Sequence, residues 1–401
     1  MDCKKNYAFV ALDFLGTSGD GQVEVLNLGV NPDTASPHVA TLDIGHPDYA
    51  IAVAFDPRSR HLLVSSGQNG NNGFLDIFDS TGNPIAGSPF PFPTGADAAN
   101  GGIVADPKHK QVLVATTDGS GCASAGACTG FTAFDLTTNT FGPIVASQTG
   151  SQSDNFAFDP TTNLILNAND NPPSTADSME MIDVTGSESC LLTDANLAAG
   201  SNSTGWDSAA VDPSTGVWLA ADDIGGDSTI IVLNLNGATV NPGSSCTVTE
   251  AGTPPNSIPV VIDSNNADLS AAVDRKSHQA FITEEYEPGI GLMQLPNTKV
   301  AQIQSSDVSS VSANLPNDPN GNIWSTRFEP NSTAIQACGK GTFGLATDFG
   351  FLVRVDLSKL KSNAGGISTA LPAGNCAGTS TTFSCSNGAG VTFYPLPVPP
   401  I

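Results

Sequence analysis

Apolar positions along this chain fall in short runs, separated by clusters of Gly, Pro, Asn and Asp. No stretch sustains an apolar repeat at helical spacing. Short strands joined by tight turns give this pattern. One run recurs: apolar, any, apolar, acid, Pro, then a polar turn. It reads Val53-Ala54-Phe55-Asp56-Pro57, Ile103-Val104-Ala105-Asp106-Pro107, Phe156-Ala157-Phe158-Asp159-Pro160 and Ala209-Ala210-Val211-Asp212-Pro213. Looser copies end at Asp274-Arg275 and at Phe328-Glu329-Pro330. A second apolar run follows each copy, such as His61-Leu62-Leu63-Val64 or Gln111-Val112-Leu113-Val114. The unit is a strand, a turn whose Pro presets φ and whose Asp bonds the backbone ahead, and a returning strand. The first strand is small and apolar on both faces, as suits the innermost strand of a propeller blade.

A third run, closing on Asp or Asn, appears near Asn27, Asp79, Asp135, Asp183, Asn234 and Asp356, with a degenerate copy at Leu292–Pro296. That makes seven third strands against six copies of the first motif. The termini account for the difference. The chain opens on a second-type strand, Tyr7–Leu12, without an inner strand of its own, and Val391-Thr392-Phe393-Tyr394-Pro395 near its end matches Val53–Pro57. The expectation is an all-β, seven-bladed β-propeller of four-stranded antiparallel blades forming one domain over residues 1–401. The C-terminal strand closes it on the N-terminal blade, so no free edge remains between first and last blades. The first blade takes residues 7–44 plus 391–396. Later blades start near 50, 101, 155, 207, 269 and 323, and 360–390 forms a long loop. Six blades is the competing count.

The Val-Ala-Phe-Asp-Pro turn, the returning strand and the third strand closing on Asn or Asp resemble the YVTN and NHL-type propeller repeats of bacterial secreted proteins. The resemblance runs over nearly the whole chain and implies the fold. It leaves function open, since such propellers include binding proteins, lactonases, lyases and scaffolds.

Charge and cysteine content narrow the setting. The net charge of −25 argues against nucleic acid, which requires a basic surface. No run of 18 apolar residues offers a membrane span. Eight cysteines in a Gly/Ser/Thr-rich chain point to disulfides and an oxidising compartment, hence a secreted, extracellular or periplasmic protein. The expected pairs are Cys122–Cys128, Cys376–Cys385, Cys190–Cys246 and Cys3–Cys338. Cys3 is alternatively a lipoprotein anchor. No pair has the spacing of a zinc site.

The two faces of the ring differ in charge. The turns leaving the inner strands carry Arg58, Arg60, Lys108, Lys110, Arg275 and Lys276, a surface for solvation or for docking a partner. Where the inner strands begin, around the channel mouth, stand Asp48, Asp97, Asp154, Asp207 and Asp268. Carboxylates gathered at one mouth repel, and a hard divalent cation such as Ca²⁺ would relieve that. Tyr49, Trp206 and Trp324 offer stacking surfaces for a small molecule or glycan. His46 is the candidate general base. The sequence has no Gly-x-Ser-x-Gly, no phosphate loop and no haem-attachment motif. The expected function is a secreted binding or scaffold module with an acidic mouth that takes a cation, small molecule, glycan or protein. A cation-dependent lactonase or lyase at the same mouth is the alternative. A self-associating structural protein is the third reading.

Overall fold

The computed structural model describes residues 7–15, 18–27, 38–56, 58–68, 72–148, 153, 155–169, 179–184, 188–192, 206–222, 229–234, 240, 246, 257–259, 269–274, 278–284 and 290–295, and beyond these only the strand backbones 308–311, 333–338, 341–348, 351–356, 367–372 and 388–393. Strands β1 (Tyr7–Leu15), β2 (Gly21–Asn27) and β3 (His38–Asp43) begin the first sheet. The second holds β4 (Tyr49–Asp56), β5 (His61–Gly67), β6 (Phe74–Phe78) and β7 (Phe90–Pro91). The third holds β8 (Asp97–Asp106), β9 (Gln111–Thr117) and β10 (Gly130–Asp135), with an outer edge split into β11 (Thr140–Phe141) and β12 (Val145–Ala146). The fourth comprises β13 (Asn155–Asp159), β14 (Leu164–Ala168), β15 (Met179–Asp183) and β16 (Glu188–Leu192). The fifth comprises β17 (Trp206–Asp212), β18 (Val217–Asp222), β19 (Thr229–Asn234) and β20 (Ser257–Pro259). In the sixth are β21 (Leu269–Asp274), β22 (Gln279–Glu284), β23 (Ile290–Gln294) and β24 (Val308–Val311). In the seventh are β25 (Thr333–Cys338), β26 (Gly341–Asp348), β27 (Phe351–Asp356) and β28 (Ile367–Pro372). The last strand, β29 (Gly388–Phe393), returns to the first sheet, whose order is β29-β1-β2-β3.

All pairings are antiparallel, and in the other sheets the strands pair in chain order, except that β12 pairs β10. Ala8 faces Phe393 and Val10 faces Val391 across β1 and β29. The innermost strands touch in turn: β4 meets β8, β8 meets β13, β13 meets β17, β17 meets β21, β21 meets β25, β25 meets β29, and β29 meets β4.

The repeated turn is built as its residues require. The motif acids Asp56, Asp106, Asp159, Asp212 and Asp274 are all buried. Each of the first four accepts the backbone N–H two residues on: Arg58 at 3.0 Å, Lys108 at 3.1 Å, Thr161 at 2.7 Å and Ser214 at 3.0 Å. The fourth residue after the acid takes positive φ in all five turns: Arg60 at 62°, Lys110 at 58°, Asn163 at 61°, Gly216 at 73° and His278 at 53°. Only Gly, and Asn to a lesser degree, adopt that conformation at little cost.

The core lies between sheets. Leu166 and Met181 of the fourth sheet share one cluster with Trp218 and Leu233 of the fifth. Phe9 and Val23 of the first sheet pack with Phe55 and Val64 of the second. Trp218 is fully buried, as its place in a second strand implies. The innermost strand of the seventh sheet is Thr333–Cys338. The expected blade start near 323 and the Phe328-Glu329-Pro330 motif lie upstream of it, outside the described residues. Cys338 faces Gly341 across β25 and β26.

Among the described residues two disulfides are formed, Cys122–Cys128 and Cys190–Cys246. The second ties β16, the outer strand of the fourth sheet, to the segment between β19 and β20 in the fifth. Cys3, Cys376 and Cys385 lie outside the described residues, and Cys338 is described only as strand backbone. No helix among the described residues is long and apolar enough to cross a membrane.

Candidate functional site

A cluster of titratable groups sits where the chain enters the second sheet. Residues 44–48 make a tight loop, with Gly45 at φ 84° and the Asp48 N–H bonded to the His46 carbonyl at 2.9 Å. The loop rests on Gly21, where a Cβ would run into the Asp48 carbonyl oxygen. It projects His46 between two buried carboxylates. Nδ1 lies 3.0 Å from Asp48 Oδ2, and Nε2 lies 3.0 Å from Asp76 Oδ1. The other oxygen of Asp76 accepts the Ser66 hydroxyl at 2.6 Å. The imidazole also packs on Phe74, with ring centroids 4.9 Å apart.

Both ring nitrogens can donate only when the imidazole is protonated. Burial by itself lowers the His46 pKa, but the hydrogen bonds and charges of Asp76 and Asp48 outweigh it and raise the value above 6.5. Burial raises Asp76, against the opposing effect of His46 and Ser66. His46, 13% exposed at its side chain, thus joins the incoming loop to the third strand, with a carboxylate at each ring nitrogen.

The fourth sheet repeats the device with different chemistry. Glu180 in β15 is buried. It accepts the Gln148 N–H at 2.8 Å and the Ser147 hydroxyl at 2.8 Å, both from the segment leading into β13. Asn167 Nδ2 lies 3.4 Å from Glu180 and 2.8 Å from Asn169 Oδ1. Gln148 reaches on to the Ser189 carbonyl. Burial raises the Glu180 pKa despite these donors. Asp76 and Glu180 therefore do the same work: each sits in a third strand and holds the segment that approaches its sheet.

Each mouth acid that the structure describes is already committed. Asp97 Oδ1 accepts the N–H groups of Gln68 and Ala98 at 2.9 and 2.8 Å. Its pKa is raised by burial, with the Asp48 charge adding to the effect. Among the described residues, the one group close enough to share an ion is Asp118 with Cys122 and Cys128, and those two sulfurs are bonded to each other. The Asp118 carboxylate meanwhile takes the N–H groups of Gly126 and Cys128. Asp154 and Asp268 lie outside the described residues, as does Trp324. Trp206 and Asp207 are described only as backbone of β17. Tyr49 is half-buried against the core cluster that contains Ile51 and Phe92.

On the opposite face the basic residues link neighbouring turns. Arg58 Nη1 donates to the Pro107 carbonyl at 3.2 Å, and Lys108 Nζ to the Pro160 carbonyl at 2.6 Å. His278 Nδ1 reaches back to Asp212 Oδ2 at 2.6 Å. Burial raises the Asp212 pKa, but hydrogen bonds from Ser214 and His278 prevail and lower it. Sequence reasoning missed Asp76 and Glu180. The signal was present, because Phe74-Leu75-Asp76-Ile77-Phe78 and Met179-Glu180-Met181-Ile182 each place an acid inside an apolar strand, where a carboxylate demands partners.

No family model matches the chain, and no curated protein matches it. Solved structures do. The β-propeller domain of Cps50 (Swd1) from Myceliophteria thermophila aligns with TM-score 0.52 and 12% identity, over 81% of this chain and 87% of that one. Hydrazine synthase from Kuenenia stuttgartiensis aligns with TM-score 0.51 and 13% identity, over 80% and 86%. A chain of the nidogen/laminin complex aligns with TM-score 0.46 and 11% identity, over 98% and 99%. At such identity the likeness speaks for architecture alone, and by architecture this chain is a β-propeller.

Proposed function

We propose that the chain is an exported, seven-bladed propeller, closed by the pairing of β29 with β1, that works as a binding or scaffold module through its channel mouth. The observation that carries this reading is the commitment of the described titratable groups there. His46, Asp48, Asp76, Asp97 and Glu180 are spent on fixing the loops that frame the mouth, which suits a rigid platform better than a reacting centre. The two disulfides support export. Tyr49, Trp206 and Trp324 supply the stacking surface, and a glycan is the ligand class that surface suits.

A panel of soluble oligosaccharides, titrated onto the full chain, tests the reading. Saturable binding is expected, weakened about 3- to 10-fold by Trp206→Ala or Trp324→Ala, the range that loss of one aromatic contact gives. Hydrolysis of simple lactones by the same protein, abolished by a chelator, would replace this reading with the enzymatic one.

A further inference from the structure

From Gln111 through Asp274 the sequence carries nineteen Asp and Glu and no Lys, Arg or His. Glu180 lies inside that stretch and is fully buried, opposite Asn167 across β14 and β15. In the second sheet the corresponding carboxylate, Asp76, faces the imidazole of His46. In the fourth sheet the residue in that role is Gln148, which is neutral. A buried carboxylate without a basic side chain is costly unless it is protonated or meets a cation from outside the chain.

The neighbouring amides point to the second course. Asn167 and Asn169 are fully buried, and Asn167 Oδ1 and Asn169 Nδ2 have no hydrogen-bond partner. Buried polar atoms without partners call for an explanation. Asn167 Nδ2 stands 2.8 Å from Asn169 Oδ1 and 3.4 Å from Glu180 Oε2. A half-turn about the last side-chain bond of Asn167 exchanges its Nδ2 and Oδ1, and the oxygen so moved gives up no hydrogen bond. Three oxygens then converge, from Asn169, Asn167 and Glu180, at those same separations.

We propose that Glu180, Asn167 and Asn169 form a Ca²⁺ site in the fourth sheet. Oxygens that share one Ca²⁺ at 2.3–2.6 Å stand roughly 2.8–3.6 Å apart when adjacent, which spans both separations. Octahedral Mg²⁺, at 2.0–2.1 Å, sets adjacent oxygens about 2.9 Å apart and leaves the Glu180 pair too wide. Water completes the shell, and one such water accepts the Asn169 Nδ2 hydrogen. A single carboxylate among neutral donors gives a weak site, with Kd on the order of 10⁻⁴ M. The double charge is favoured by the nineteen acids of the surrounding stretch, whose basic side chains number none.

Thermal scans of the full chain, stripped with EDTA and dialysed, test the assignment with CaCl₂, MgCl₂ and NaCl at one ionic strength. Ca²⁺ at a hundredfold excess over Kd, ~10 mM, should raise the melting temperature by about 3 °C, and Mg²⁺ and Na⁺ should leave it unchanged. Glu180→Gln should abolish the shift. Asn167→Asp adds a second carboxylate beside the first. It should melt lower than wild type in EDTA, through like-charge repulsion, and bind Ca²⁺ about tenfold more tightly in a calorimetric titration, through the added ligand charge. If Glu180→Gln does not fold, the opposite responses of Asn167→Asp without and with Ca²⁺ decide. No shift with Ca²⁺, an equal shift with Mg²⁺ or Na⁺, a shift retained by Glu180→Gln, or no gain in affinity in Asn167→Asp overturns the proposal. None of these readouts depends on oligosaccharide binding.

Discussion

Replacing His46 by Ala removes the imidazole that bridges two buried carboxylates. Asp48 and Asp76 are each no more than 2% exposed, and the variant leaves Asp76 with the Ser66 hydroxyl alone among the partners described above. Breaking a buried ion pair from one side costs about 3–5 kcal/mol, and the retained Ser66 bond argues for the lower end, about 3 kcal/mol. With an unfolding entropy of about 2.1 cal/mol/K per residue, a 401-residue domain loses about 4 °C of melting temperature for that deficit. The deficit depends on pH with a definite sign. A His46 pKa raised above 6.5 contributes stability that is complete below pH 6.5 and disappears as pH rises through the folded value. A raised Asp76 favours the folded state at low pH, because burial makes the protonated form the better one. The wild type should therefore lose stability above pH 6.5 while His46→Ala stays flat there, and the gap should narrow as pH falls toward 4. Urea unfolding at several pH values measures this, and a cycle with Asp76→Ala isolates the pair, with an expected coupling of about 2 kcal/mol. A cost under about 1 kcal/mol, additivity in the cycle, or parallel pH profiles would refute the clamp.

Other consequences follow from the same packing. Gly216→Val forces a β-branched residue to φ 73° and should cost about 2 kcal/mol, whereas Lys110→Gly, at φ 58°, should be neutral or slightly stabilising in the same denaturation assay. Separating Cys190 from Cys246 by double Ser substitution opens a loop of 56 residues and should cost about 4 kcal/mol, against about 2 kcal/mol for the six-residue loop of Cys122–Cys128. Asp212, lowered below 3.8 by its donors, contributes stability that is lost as pH falls through the folded value. Asp212→Asn should accordingly flatten the acid limb of the stability profile.

What could be read from the sequence was whatever a single repeat encodes. The Asp-Pro turn specifies a hairpin with its own hydrogen bonds, so four inner strands are visible as text, and a fifth through its looser Asp274-Arg275 copy. The Cys122–Cys128 and Cys190–Cys246 pairs follow from short spacing and from outer segments of adjacent blades. The inner strand of the seventh sheet was less legible, because the two residues between β25 and β26 carry no Asp-Pro signal in the sequence. The roles of His46 and the basic turns were hidden for a different reason. His46 finds Asp76 thirty residues on, and Arg58 finds Pro107 in the next sheet. Such partners are set by how neighbouring blades pack, which no local pattern states. At the mouth, sequence records the charge of Asp97 and not the Gln68 and Ala98 N–H groups that face it.

Amide hydrogen exchange on the native full chain addresses ring closure most directly, through the peptides covering Tyr7–Leu15 and Gly388–Phe393. If β29 fastens the first sheet, the Val391–Phe393 amides are protected and open together with those of Ala8–Leu12, at the free energy of global unfolding. Rapid exchange at Val391–Phe393 while Ala8–Leu12 stays protected would contradict the closed ring.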